Sequence, residues 1–222
     1  MSVRAALLSS AAFVAVACAP QEPPLSAVLI TLDTTCRDAL GCFGQALPLT
    51  PNLDRLAREG LAFDQARTVA PITLPAHASM LTGLVPLRHG VRDNALAPLG
   101  QAAETLAERA RAAGFQTAAF VSAVVLAAPY GLDQGFDTYD APQGSAGNAT
   151  AHMLERPALD TVAAACAWLR AREREKPFLL WLHGFEPHEP YVPAAEFLAL
   201  AQGSPYLGEV AALDHALGEL LR

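Results

Sequence analysis

The sequence predicts an α/β fold with a largely parallel central sheet and helices on both faces. Three observations point there. Short apolar runs recur at 26–32 (SAVLITL), 115–121 (FQTAAFV) and 178–183 (FLLWLH), each the length of a strand buried on both sides. Stretches of helical periodicity separate them. Strands that alternate with helices are joined by crossovers, which makes neighbours parallel. At 222 residues and 52% hydrophobic, the chain can fill one large core, and disorder throughout is excluded. The 15 Lys+Arg against 22 Asp+Glu give a net charge of −7, which disfavours a nucleic-acid partner.

Taken in order, residues 1–18 (MSVRAALLSSAAFVAVAC) place one early cation, Arg4, before an apolar run too short to span a bilayer. Small residues lead into Cys18, and Ala-Val-Ala-Cys resembles a bacterial lipoprotein cleavage box. The expectation is export to the periplasm with a lipid anchor at Cys18 holding the protein to a membrane. An ordinary secretory signal or an uncleaved anchor is the alternative. Residues 19–25 form a proline-rich linker. The strand at 26–32 ends at Asp33. A helix begins at Thr50-Pro51, with threonine as cap and proline in the first turn, and closes at Gly60. A second helix spans 102–113 with Gly114 as its stop. The stretch 141–151 reads as an exposed loop. A third helix covers 157–174, with Leu159, Val162, Cys166 and Leu169 as its apolar stripe. The last helix, 208–222, has no stop signal and no strand after it, so the domain reads as truncated. Within it, Asp214-His215 reads as a surface pair.

Functional groups of open α/β sheets gather at the carboxyl ends of strands. Asp33 stands at such an end, where a carboxylate either binds a divalent cation or caps a turn. Thr73 lies just before Leu74-Pro75, where a helix is expected to start near Pro75 or Ala76. A hydroxyl among free helix N-terminal amides could be a nucleophile toward a sulfate or phosphate ester, or could simply cap the helix. His89 and His188 could donate to anionic oxygens, as could Asn94, and each histidine could equally well stabilise its own turn.

Several segments in combination resemble the N-terminal part of the sulfatase and alkaline-phosphatase-like hydrolases. They are Asp33-Thr34, TPNLDRLAREG (50–60), ITLPAHASMLTG (72–83), PLRHGVRDN (86–94), AETLAERARAAGFQTAAFVS (103–122), GLDQGFDTYD (131–140), FLLWLHGFEPHEPYVP (178–193) and GEVAALDHALGELL (208–221). The resemblance covers residues 26–222. It implies an alkaline-phosphatase-like fold with Asp33 and Thr73 at a divalent metal (Zn, Ca, Mn or Mg), and with Thr73 at the nucleophile position. It also implies His77 and His188 as further catalytic groups, His89 and Asn94 against the substrate, and a small anionic ester as that substrate. Sulfatases place a cysteine or serine at this nucleophile position and convert it to formylglycine, a change threonine cannot undergo. Relatives with a threonine nucleophile act on phosphate esters and phosphonates. The sulfate-binding lysine is also missing: Lys176 is the only lysine, and FVSAVV stands where sulfatases carry that motif. The remaining metal ligands of relatives come from a later segment. The competing reading is a non-catalytic exported lipoprotein that keeps the fold and binds an anion or a partner.

Overall fold

The computed structural model describes residues 25–94, 96–142 and 156–222. The expectations for Cys18, for the linker up to residue 24 and for most of the 141–151 loop lie outside these residues. Four strands, β1 (Ala27–Leu32), β2 (Gln116–Val121), β3 (Thr138–Asp140) and β4 (Phe178–Gly184), form one sheet in the order β1-β4-β2-β3. Every pairing is parallel. Among the described residues β1 pairs only with β4, and Val28, on the same face as Leu180, is 47% exposed.

Alternation along β4 divides its side chains between two cores. Leu179 and Trp181 point to one face, where they pack with Leu74, Ala78 and Leu81 of α2 (Thr73–Thr82) and Ala107 of α4 (Leu106–Ala112). Leu180 and Leu182 point to the other, against Val162 and Ala165 of α5 (Ala158–Ala171) and Leu213 and Leu217 of α7 (Pro205–Leu220). Helices thus cover both faces, as the pattern predicts. On the first face, Trp181 Nε1–H donates to Thr31 Oγ1 at 3.0 Å, which links β4 to β1 close to their carboxyl ends.

The structure corrects several element boundaries and roles. Helix α4 starts at Leu106, not 102, because Thr105 and Glu108 form a reciprocal capping box. Leu159 is 53% exposed and leaves the expected stripe, whereas Val162 is fully buried and Cys166 packs beside the second core. Helix α1 (Pro51–Glu59) follows Thr50, but the Thr50 hydroxyl bonds Asp54 and does not cap. The cap comes from α7: Asp214 accepts from Asn52 N at 3.1 Å, Leu53 N at 2.9 Å and Asn52 Nδ2 at 2.9 Å. Asp214 is therefore a buried cross-helix cap, 1% exposed, and not half of a surface pair. Burial pushes its carboxyl above the ordinary value even though these N–H bonds pull the other way.

The GLDQGFD segment also has a packing role. A Cβ at Gly135, whose φ is +90°, would stand 2.2 Å from Glu108 N, so only glycine lets this turn lie against the start of α4.

Removing the Asp214 carboxylate leaves two half-buried helix amides without an acceptor, while Asn52 Nδ2 keeps only the Asp214 backbone carbonyl. Asp214→Ala is expected to destabilise the chain by about 2–3 kcal/mol, read as a lower urea midpoint with unchanged m-value.

Candidate active site

The sheet register creates the site. Thr31 of β1 pairs with His183 of β4, Leu32 with Gly184, and Asp33 N–H then donates to Gly184 O at 3.0 Å. Period two carries Asp33 onto the face of Thr31, and His183 onto the face of Trp181, so both lie on the α2 side. Asp33 Oδ1 accepts from Thr34 N at 2.9 Å, and Thr73 Oγ1 donates to Oδ2 at 2.8 Å. Asp33 and Thr73, forty residues apart in sequence, are thus brought into direct contact at the carboxyl edge.

Thr73 is the first residue of α2, and its hydroxyl goes to Asp33. The cap reading fails because Asn94 does that work: its Oδ1 accepts from Leu74 N at 2.9 Å. With Leu74 N–H engaged and no N–H on Pro75, the helix start offers fewer amides to an anion than expected. Asn94 thereby steadies the turn that carries Thr73.

His77 sits one helical turn after Thr73, and its Nδ1 lies 2.7 Å from Thr73 O. A carbonyl only accepts, so Nδ1 carries the hydrogen and Nε2 keeps a lone pair. The ring is buried, packed against Trp181 and edge-on to His183 at 4.9 Å. Burial and then the neighbouring His183 lower its pKa to about 3, beyond what Thr73 O and Asp33 restore. His77, at the position the resemblance gives to an arginine, is a neutral acceptor at neutral pH.

His89 stands apart from the pair. Val91 N–H donates to its Nδ1 at 3.1 Å, and its Nε2 lies 2.9 Å from Ser79 Oγ, which in turn donates to Pro75 O. Both ring nitrogens are occupied in fastening the 86–90 turn to α2. His188 stacks on Phe185 at 4.2 Å, and its Nδ1 bonds Glu189 O at 2.8 Å. It therefore flanks the segment after β4 without contacting Asp33 or Thr73.

Sequence reasoning missed His183. It is fully buried, its Nε2 lies 3.5 Å from Asp33 Oδ2, and neither ring nitrogen has a hydrogen-bond partner. A histidine closing an alternating strand beside the strand that carries Asp33 was the available signal.

Burial would raise the Asp33 carboxyl, but the His183 imidazole and then the Thr73 hydroxyl outweigh it, and it stays ionised below the usual aspartate value. Asp33, Thr73 and His77 open into a cleft of about 510 Å³, whose walls include Ile30, Ile72 and Met80 and, among the described residues, carry no lysine or arginine. Among the described residues no group of three or more His, Cys, Asp or Glu side chains forms a ready metal cage. The ionised Asp33 with a hydroxyl beside it does suit a divalent cation as part of a ligand set.

The chain matches the sequence profile of the Sulfatase family over residues 26–222. It is 31% identical over 185 residues to an N-acetylglucosamine-6-O-sulfatase of Bacteroides thetaiotaomicron, covering 78% of this chain and 32% of that one. With human arylsulfatase A the identity is 28%, covering 98% and 51%. A structure solved in complex with its substrate D-glucosamine-2-N,6-O-disulfate is similar at TM-score 0.67 and 27% identity, over 83% of this chain and 38% of that one. The phosphonate monoester hydrolase of Agrobacterium radiobacter shares the fold at TM-score 0.67 and 21% identity, over 89% and 58%. The chain spans about a third to a half of the length of these two curated relatives.

The depressed His77 pKa has a stability consequence. The unfolded imidazole takes a proton near pH 6.5, the folded one only near 3, so the unfolded state binds more protons in between. This contribution is complete above pH 6.5 and is lost as pH falls. About 2 kcal/mol should go between pH 6.5 and 5. In paired urea titrations at those two values, His77→Gln should flatten the acid-side loss; an unchanged slope would assign it elsewhere.

Proposed function

The chain belongs to the sulfatase family, and on that basis we propose that it carries the nucleophile half of a metal-dependent ester hydrolase, with Thr73 attacking phosphorus or sulfur. The observation that carries this reading is the Thr73 Oγ1–H bond to Asp33 Oδ2 at 2.8 Å, at a helix start on the carboxyl edge of the sheet. Asp33 and Thr73 would hold the cation. When bound, the cation supplies positive charge that acidifies the hydroxyl and attracts the anionic ester.

The chain's own residues then divide the work. Thr73 Oγ1 forms the new bond to phosphorus or sulfur as the bond to the ester oxygen breaks, and its proton leaves along the existing line to Asp33. The departing oxygen takes a proton from water. Asn94 and His77 hold the first turn of α2, one at the Leu74 amide and the other at the Thr73 carbonyl, so the attacking oxygen stays aimed. Water then cleaves the threonyl ester and restores the hydroxyl.

Phosphate and phosphonate esters are the substrates we favour over sulfate esters, because threonine is no formylglycine precursor. The lysine supply supports the same choice. Lys176 precedes β4 at its amino end and pairs with Glu173, a strand of about 20 Å away from the carboxyl edge. Export with a lipid anchor at Cys18, and hence a periplasmic location, belongs to this proposal as well.

Aryl phosphate and aryl sulfate assays should be run on the chain, and on any longer reading frame containing it, with added Zn²⁺, Mn²⁺, Mg²⁺ or Ca²⁺. The phosphate ester is expected to turn over faster. Thr73→Ala is expected to lower kcat/KM by about 10³-fold, with Thr73→Ser recovering most of it. Faster sulfate turnover overturns the substrate choice, and full activity in Thr73→Ala overturns the nucleophile.

A further inference from the structure

Resting on the reading of Asp33 and Thr73 as a cation site, we infer that His183 Nε2 is a third ligand of that cation, giving a mixed nitrogen–oxygen set that selects zinc-like ions over Ca²⁺ and Mg²⁺.

The side chain is placed with unusual constraint. Its backbone is paired with Thr31, and the bond from Asp33 N to Gly184 O locks the next step of the register. Period two puts both side chains on the α2 face. The His77 ring meets the imidazole edge-on at 4.9 Å and limits its rotation. His183 cannot swing out to solvent, and its surroundings do not satisfy it: the residue is fully buried, Nδ1 has no partner, and Nε2 has only the Asp33 carboxylate at 3.5 Å, too far for a hydrogen bond of ordinary length. A buried polar group left in this state costs about 1–3 kcal/mol, so its presence calls for a partner.

The distance indicates what that partner is. At 3.5 Å, Nε2 and Asp33 Oδ2 are beyond the ordinary range of an N–H···O bond. Two donors bound about 2.0–2.1 Å from one tetrahedral ion stand about 3.3–3.4 Å apart. The observed separation fits two ligands of one ion better than a donor and its acceptor. Asp33 Oδ2, Thr73 Oγ1 and His183 Nε2 then form the set. Imidazole suits zinc and its neighbours, whereas Ca²⁺ and Mg²⁺ prefer oxygen.

Zinc, cobalt(II), Ca²⁺ and Mg²⁺ should be titrated into the full chain. Zinc is expected to bind at least 100-fold more tightly than Ca²⁺ or Mg²⁺, and X-ray absorption of the zinc-loaded chain should show imidazole scattering. His183→Gln is expected to weaken zinc by at least about 10- to 100-fold and to reduce that scattering. Should His183→Gln fail to fold, His183→Cys supplies a compact ligand and should give a thiolate-to-cobalt charge-transfer band that His183→Ser lacks. Metal lost in Asp33→Asn but kept at full affinity in His183→Gln, or no charge-transfer band from a folded, cobalt-bound His183→Cys, overturns the role of His183 alone. A wild-type chain that binds none of the four ions overturns the cation site itself, and this inference with it.

Discussion

The candidate site depends on the pairing of β1 with β4. One backbone bond, Asp33 N–H to Gly184 O at 3.0 Å, continues the parallel ladder one residue beyond β1. A one-residue slip would turn Asp33 to the opposite face of the sheet and away from α2. Trp181 guards the register from the side-chain layer, since its indole N–H reaches Thr31 Oγ1 inside the first core. With the register set, Asp33 is fixed at both oxygens, by its neighbour's amide and by Thr73 from across the cleft. The carboxylate is oriented without any mobile side chain.

The second constraint is the position of α2. Its first turn must present Thr73 toward Asp33 while its body fills the core with Leu74, Ala78 and Leu81. Two polar groups reconcile these demands. Asn94 caps the turn from the loop after residue 90, and the chain Val91 N–His89–Ser79–Pro75 O fastens that loop region back onto α2. His89 and Asn94 therefore shape the site from outside the reacting pair. On the other face, Asp214 joins α1 to α7 by capping. Both devices join segments distant in sequence through a buried polar side chain that finds its partners only in the folded chain.

Much of this architecture is legible in the sequence, because it follows from local pattern. Continuous apolar runs mark β1, β2 and β4, and proline and glycine punctuate α1. Asp33 and Thr73 stand out at a strand end and a helix start, and the fold brings them together as that placement implies. Periodicity misplaces the start of α4 at 102, although the Thr105–Glu108 spacing that sets it stands in the sequence. What pattern cannot supply is which polar residue a distant element covers. Asp214 follows helical periodicity like any surface residue until α1 is laid against it. His183 reads as one more member of an apolar strand, since nothing local says that its neighbour across the ladder leads to Asp33. Histidine roles stay open in the sequence for a related reason: a ring nitrogen donates or accepts according to the partner of the other, and those partners, Thr73 O and Val91 N, are tertiary facts.

Electrostatics supports the cation of the proposed function. The cleft presents an ionised carboxylate, a hydroxyl and a neutral histidine, and among the described residues its walls carry no lysine or arginine. Arg37, in the stretch just after Asp33, is turned to Asp64 at 3.2 Å and lies over the Phe43 ring. An anionic ester brought within about 4 Å of Asp33 would meet a repulsion of about 4 kcal/mol in a surroundings of effective dielectric 20. Nothing in the cleft wall offsets that. In the proposed function a divalent ion held by Asp33 and Thr73 would offset that repulsion and lower the hydroxyl pKa. The positive charge that other anion sites take from basic side chains would then come to this cleft with the metal, and substrate binding and nucleophile activation would share one ion.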